Sequence, residues 1–137
     1  DELLLVVARD HPLALAERVT LRDLAAARWV LREAGSGTRV TFEQQVLPRL
    51  GSVDAPLEVS NAEAIKHLVG SGCGIGCLSQ RVVQAELERG ELVRLGNPLG
   101  PLRRTFFRAL HIDKYPTAGL RRFLDYASEW AARSGAV

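Results

Sequence analysis

The stretch ELLLVVA, Glu2 to Ala8, runs apolar without a break after its first residue. Successive side chains of a strand point to opposite faces, so a strand with one wet face alternates polar and apolar. This run does not alternate. As a strand it must be covered on both faces, and a domain that does so sets helices on either side of its sheet.

The rest of the chain supplies the pieces. RDHPL reads as a turn and TLRDLAAAR as a helix, with Thr20 able to cap it and Asp23 near the positive end of its dipole. RWVLR is a second strand. A helix is predicted from about Thr38 to Leu50, burying Phe42, Val46 and Leu50, with Pro48 kinking it or ending it early. PLEVS is a third strand. In SNAEAIKHLVGSG, Ser60 and Glu63 match the capping box, Ile65, Leu68 and Val69 form a helical stripe, and Gly70 and Gly72 stop the helix. GIGCLS is a fourth strand, QRVVQAELERG a helix ending at Gly90, and LVRL a short extended piece. RTFFRALHI alternates and predicts a strand crossing between layers. The final helix places Leu120, Phe123, Leu124, Ala127 and Trp130 on one face. Strands alternating with helices predict an α/β fold with a mostly parallel sheet.

Composition narrows the function. The chain has 137 residues, one domain or part of one, and is 47% hydrophobic, with no apolar stretch long enough to span a membrane. A net charge of +2 is too balanced for the chain itself to be a nucleic-acid platform. The absence of a signal-peptide pattern points to the cytoplasm. The chain opens without Met on a buried strand, which reads as a piece cut from something longer.

In open α/β sheets, ligands bind beyond the carboxyl ends of the strands, where helix N-termini point. Two loops fall there, REAGSGT and SNAE. Both put small polar residues at a helix start, where free backbone N–H groups and the dipole favour an anion. Ser36, Thr38, Ser60 and Asn61 are either plain N-caps or donors in a shared small-ligand site. Arg32 and Glu33 either pair with each other or face that site. Arg39, in the first helical turn, either answers an anion nearby or extends to solvent.

Other chemistry falls away. No Lys follows Gly37, so REAGSGTR is not a P-loop. GSGCGIGC has Cys77 where a dinucleotide fingerprint needs its third Gly, and it enters a strand, so its glycines read as aids to close packing. Cys73 and Cys77 are too far apart along a strand for a bridge or chelate and read as buried, inert thiols. His11, His67 and His111 lack metal-ligand spacing, which leaves no metal and no cofactor to expect. His67 belongs on the solvated side of its helix, and His111 with Asp113 is an unsupported catalytic pair. No nucleophile, base and orienter come together, so a binding module is preferred to an enzyme.

DELLLVVARDHPLA, WVLREAGSGTR, SNAEAIKHLVGSGCGIGCLS and LRRFLDYAS, in this order and spacing, resemble the effector-binding domain of LysR-type bacterial transcriptional regulators over Asp1 to about Ala131. REAGSGTR is most similar to the branch that includes regulators of carbon fixation and of sulfur metabolism. The resemblance implies a two-lobed, periplasmic-binding-protein-like fold with an effector in the interlobe cleft. The second lobe would span about 8–104, and the return strand and final helix, which belongs to the missing lobe, about 104–133. DNA would be bound only through a helix-turn-helix outside this chain, in a homodimer or homotetramer, with no membrane contact. The effector, a small anionic metabolite, would meet Gly35, Ser36, Gly37 and Thr38 and the helix start at Asn61 and Ala62, with Arg32, Glu33 and Arg39 as weaker candidates. The alternatives are a solute-binding protein of a transporter and a small α/β enzyme.

Overall fold

The apolar run at the start of the chain becomes β1 (Glu2–Ala8), with every residue from Leu3 to Ala8 buried. In the computed structural model, which describes residues 1–133, β1 sits inside a six-stranded sheet. The other strands are β2 (Trp29–Arg32), β3 (Leu57–Val59), β4 (Ile75–Ser79), β5 (Leu92–Arg94) and β6 (Leu102–Arg103). Their order is β3-β2-β4-β1-β5, with β6 also paired to β1. The fold is α/β, but the sheet is mixed. β2 runs parallel to β3 and β4, as a mostly parallel sheet requires, whereas β1 runs antiparallel to β4, β5 and β6.

This topology gathers one edge. Arg32 pairs with Val59, Leu3 with Ser79, and Glu2 with Arg103. The carboxyl ends of β2, β3, β4 and β6 therefore lie on the same side of the sheet as the start of β1.

Helices cover both faces, and β1 feeds both layers. Leu3, Leu5 and Val7 join Trp29, Leu31 and Phe42 on one face, while Leu4 and Val6 join Val30, Ile65 and Val69 on the other. An alternating strand could not have filled two layers. Each fully buried side chain of this size is worth about 1.5–3 kcal/mol. Trp29 and Phe42 meet edge to face with ring centroids 4.9 Å apart.

The helices of the first layers are α1 (Leu21–Ala26), α2 (Gly37–Gln45), α3 (Leu47–Leu50), α4 (Ala62–Gly70) and α5 (Gln80–Arg89). Thr20 and Asp23 close a reciprocal capping box on α1. The helix predicted across Pro48 is in fact two, broken at Val46, with the proline in the first turn of α3. Gly90 ends α5 in the left-handed conformation. The glycines before and inside β4 do allow close approach. A Cβ at Gly74 would fall 2.4 Å from the Arg28 carbonyl oxygen, and one at Gly76 would fall 2.9 Å from Val69 Cγ2.

Three expectations are corrected. The capping box at Ser60 does not form; Asn61 is the N-cap of α4, since it has the extended backbone and its side chain accepts from the first turn. RTFFRALHI is not a strand: β6 stops at Arg103, and Phe106, Phe107, Leu110 and Ile112 are exposed. Alternation satisfies a strand's side chains, but its backbone needs a neighbouring strand, and the described residues offer none there. Cys73 is exposed, because it lies in the turn after α4 rather than inside β4; Cys77 is buried.

The chain divides into two compact units, Asp1–Arg104 and a second beginning at Thr105. The second holds α6 (Ala118–Arg133), whose Ser128 hydroxyl and Leu124 carbonyl accept from Arg108. On its apolar face Leu120, Leu124 and Ala127 are half-buried, and Phe123 and Trp130 are exposed. Among the described residues, no helix is long and apolar enough to cross a membrane.

Candidate functional site

The two polar loops found in the sequence come together on the carboxyl edge, after the adjacent parallel strands β2 and β3. The loop after β2 begins with Arg32 and Glu33. They pair, with Arg32 Nε and Nη2 at 2.7 and 2.9 Å from the Glu33 carboxylate oxygens, so the first of their two readings holds. The shared hydrogen bond raises the Arg32 pKa and lowers that of Glu33.

Gly35 has φ +88°, a conformation that side chains disfavour, and it turns the chain into α2. The Ser36 N–H donates to the Glu33 carbonyl, and the Ser36 carbonyl accepts the first helical bond, from Val40. The N–H groups of Gly37, Thr38 and Arg39 precede that bond and have no intrahelical partner. Ser36 occupies the N-cap, yet its hydroxyl makes no capping hydrogen bond.

Thr38 is buried, and its hydroxyl accepts from Arg104 Nη1 at 3.0 Å. It is therefore not a cap. Arg39 lies across α2, at 2.7 Å from Glu43 Oε1 and 3.6 Å from Glu58 Oε2, and donates to the Arg32 carbonyl. Its charge is answered by carboxylates within the fold.

The loop after β3 is arranged differently. Asn61 Oδ1 accepts from the Glu63 and Ala64 N–H groups at 2.7 and 3.4 Å, so its oxygen is spent as a cap. Its Nδ2 has no partner among the described residues. Ala62 opens α4 and packs against the layer that contains Ile65. All the loop positions singled out in the sequence thus reach one sheet edge, in two roles: Ser36 to Arg39 around a helix start with unspent donors, Asn61 and Ala62 at a capped one.

The sequence reading missed what closes this edge. Arg104 follows β6 and enters the reading only as the start of the return crossover. Its Nε and Nη2 reach Asp1 Oδ2 at 2.8 and 2.7 Å. The Asp1 side chain is 1% exposed, and its Oδ1 accepts from the Ser79 hydroxyl at 2.8 Å. Ser79, at the N-cap of α5, is turned to Asp1 instead of capping its helix. Burial lowers the Arg104 pKa, with nearby Arg32 adding to the effect. Burial pushes the Cys77 thiol up to about 12, which keeps it protonated and unreactive.

Two other places lack this character. A cavity of about 300 Å³ opens near the amino ends of β2 and β4, lined by His11, Asp23, Arg28, Cys73 and Gly74. Its His11 and Asp23 already serve as local caps. His111 and Asp113 lie 3.7 Å apart, both exposed, and the strand expected to carry them is absent. Among the described residues, no cluster of His, Cys, Asp or Glu could hold a metal ion.

Comparisons with known proteins give these features a context. The family model described as LysR substrate binding domain matches residues 1–132. The HTH-type transcriptional regulator YeiE of Escherichia coli (strain K12) is 47% identical over 126 residues, 92% of this chain and 43% of that protein. The RuBisCO operon transcriptional regulator of Allochromatium vinosum is 31% identical over 133 residues, 97% of this chain and 44% of that protein. Among solved structures, the regulatory domain of Synechocystis PCC6803 CcmR in complex with 2-PG superposes with a TM-score of 0.79. It is 34% identical and covers 91% of this chain and 60% of that one. The chain spans less than half the length of the curated relatives named here.

Proposed function

The chain belongs to the LysR substrate-binding domain family, and from that premise we propose that it is the effector-sensing part of a transcriptional regulator that binds a small anionic metabolite at the carboxyl edge of its sheet. The observation that carries this reading is the start of α2. Ser36 stands at an N-cap without capping, and the N–H groups behind it point the same way as the helix dipole. Donors left unspent at a helix start suit an oxyanion. Asn61, whose Nδ2 remains while its oxygen caps α4, adds a donor from the neighbouring loop.

In this reading, residues from about 8 to 104 form one lobe of a two-lobed domain, and those from about 104 to 133 are the return crossover and a helix of the other lobe. The effector lies in the cleft that the complete other lobe closes in the full-length protein. It favours a closed arrangement only through contacts absent from the open one, and that difference is what reaches the DNA. DNA is read by the helix-turn-helix of the full-length protein, which acts in the cytoplasm as a homodimer or homotetramer and is a sensor rather than an enzyme. The CcmR regulatory domain was solved with 2-PG, which makes 2-phosphoglycolate the first probe, followed by other small carboxylates, phosphates and sulfur oxyanions.

The test is calorimetric titration of the full-length protein. A hydrogen bond to a charged group is worth about 1.5–3 kcal/mol, so Ser36→Ala or Thr38→Ala is expected to weaken binding about tenfold or more. DNA binding without effector is expected to survive. Wild-type affinity in Ser36→Ala, Thr38→Ala and Asn61→Ala together would place the site elsewhere.

A further inference from the structure

Three arginines stand around the start of α2, each paired with a carboxylate, and one of them, which follows β6, also reaches the helix start. Arg32 is turned onto Glu33, and Arg39 onto Glu43 and Glu58. Arg104 is turned onto Asp1 and is also held at the helix start itself. Its Nη1 is 3.0 Å from the Thr38 hydroxyl, and a Cβ on Gly37 would lie 3.6 Å from the same atom.

A guanidinium against the first turn of a helix opposes the dipole there. Neutralising Asp1 does not require that placement. Asp1 engages Nε and Nη2, on the other side of the group from the Nη1 contact with Thr38. An oxyanion lying between Nη1 and the N–H groups of α2 would turn the local repulsion into attraction on both sides. The planar guanidinium can keep Asp1 on one edge while its Nη1 meets an oxyanion, which the point charge of lysine does not do.

We propose that Arg104 is the specificity-determining cation of the effector site, and that buried Asp1 is its positioning residue, aiming the guanidinium at the oxyanion held by α2. This rests on the effector reading of the α2 start given above. Ser79 completes the support: its hydroxyl fixes the second oxygen of Asp1 and leaves Oδ2 to Arg104. Effectors of this site carry a phosphate, carboxylate or comparable oxyanion at the end that meets α2, and uncharged isosteres are rejected.

The experiment uses the full-length protein with 2-phosphoglycolate, inorganic phosphate and sulfate as probes, following dissociation constants and ligand-free melting together. Arg104→Gln leaves a buried carboxylate without its cation, so both affinity and melting temperature fall. The double variant Asp1→Asn with Arg104→Gln removes both charges and recovers the melting temperature. Its affinity stays at least tenfold weaker, as does that of Arg104→Lys. Asp1→Ala loses affinity to a similar extent, whereas Asp1→Asn, which keeps an acceptor for the guanidinium, returns to within about threefold of wild type.

Affinity that recovers with melting temperature in the double variant would show that Arg104 is structural, overturning the proposal. Wild-type affinity in a folded Arg104→Lys or Asp1→Ala variant would overturn it as well. If these variants bind normally while Ser36→Ala and Thr38→Ala do not, the inference fails and the α2 site stands. If Ser36→Ala and Thr38→Ala also bind normally, or wild type takes none of the probes, the site reading itself fails and takes the inference with it.

Discussion

The two helix starts at the carboxyl edge look alike in sequence and are built to opposite ends. At α4, Asn61 closes the first turn with two hydrogen bonds, and Lys66 bridges Glu63 and Glu86 at 2.8 and 2.9 Å to tie the helix to α5. Gly76 lets Val69 sit directly on β4. At α2, Ser36 makes no cap, Thr38 takes its bond from Arg104 after β6, and the first-turn N–H groups are left without helical partners. One start is finished locally. The other is completed from a distant part of the chain and still has donors to give. A small polar residue before a helix therefore marks a helix start, and what separates a cap from a binding site is whether its oxygen is already engaged.

The largest stability effect that sharpens this contrast is at Asn61. Removing a working cap costs about 1 kcal/mol, and for a unit of this size that is a fall of several degrees in melting temperature. Asn61→Ala is expected to show it in ligand-free protein, by calorimetry. An unchanged melting temperature would mean that the Asn61 bonds contribute nothing, and that α4 is as open as α2.

A smaller effect concerns pH. The hydrogen bond from Lys66 holds the Glu86 carboxyl below its ordinary value, with the nearby Lys66 and Arg89 charges adding to it against the cost of burial. A group with a lowered folded pKa contributes stability that is fully present above its unfolded value, about 4.3, and is lost as pH falls through the folded one. Lys66, raised first by its hydrogen bond to Glu63, contributes in the opposite sense: its share persists below its unfolded value and is lost only in strong alkali. Between these limits the α4–α5 tie is expected to be insensitive to pH. Thermal melts from pH 7 to 3 are expected to show wild type more stable than Glu86→Gln at neutral pH, with the gap closing below about pH 4. A gap that persists in acid would trace to packing and not to the ion pair.

Much of this architecture was legible because its signals are local. The unbroken ELLLVVA run called for two layers, and β1 sends alternate residues into both. The Gly-rich stretch promised close packing, and Gly74 and Gly76 provide it. Thr20 and Asp23 form the cap that their spacing allows. The failures have two causes, partners far away in sequence and boundaries that differ by a single position. Alternation in RTFFRALHI could not reveal that, among the described residues, no strand lies beside it. The choice between Ser60 and Asn61 as cap depends on which residue has the extended backbone, a difference of one position that spacing does not resolve. The Arg104 bond to Thr38 spans 66 residues and leaves no periodic trace. The site loops could be read one by one, whereas the arginine that joins them could not.

The smallest expected stability effect is the one that tests the comparison most directly. Ser36→Ala removes a hydroxyl that makes no hydrogen bond to its helix. Ser36 is half-buried, and a change near the surface that leaves no partner unpaired stays within about 0.5 kcal/mol, so the ligand-free melting temperature is expected to match wild type. The same change is expected to cut the stabilisation gained on adding effector, since ligand-induced stability follows the ratio of concentration to dissociation constant. Asn61→Ala behaves differently, because it lowers the starting point as well. If Ser36→Ala lowered the ligand-free melting temperature as far as Asn61→Ala does, the hydroxyl would be working as a cap in solution. The two helix starts would then be equivalent, and the donors assigned to an effector would be holding the helix instead.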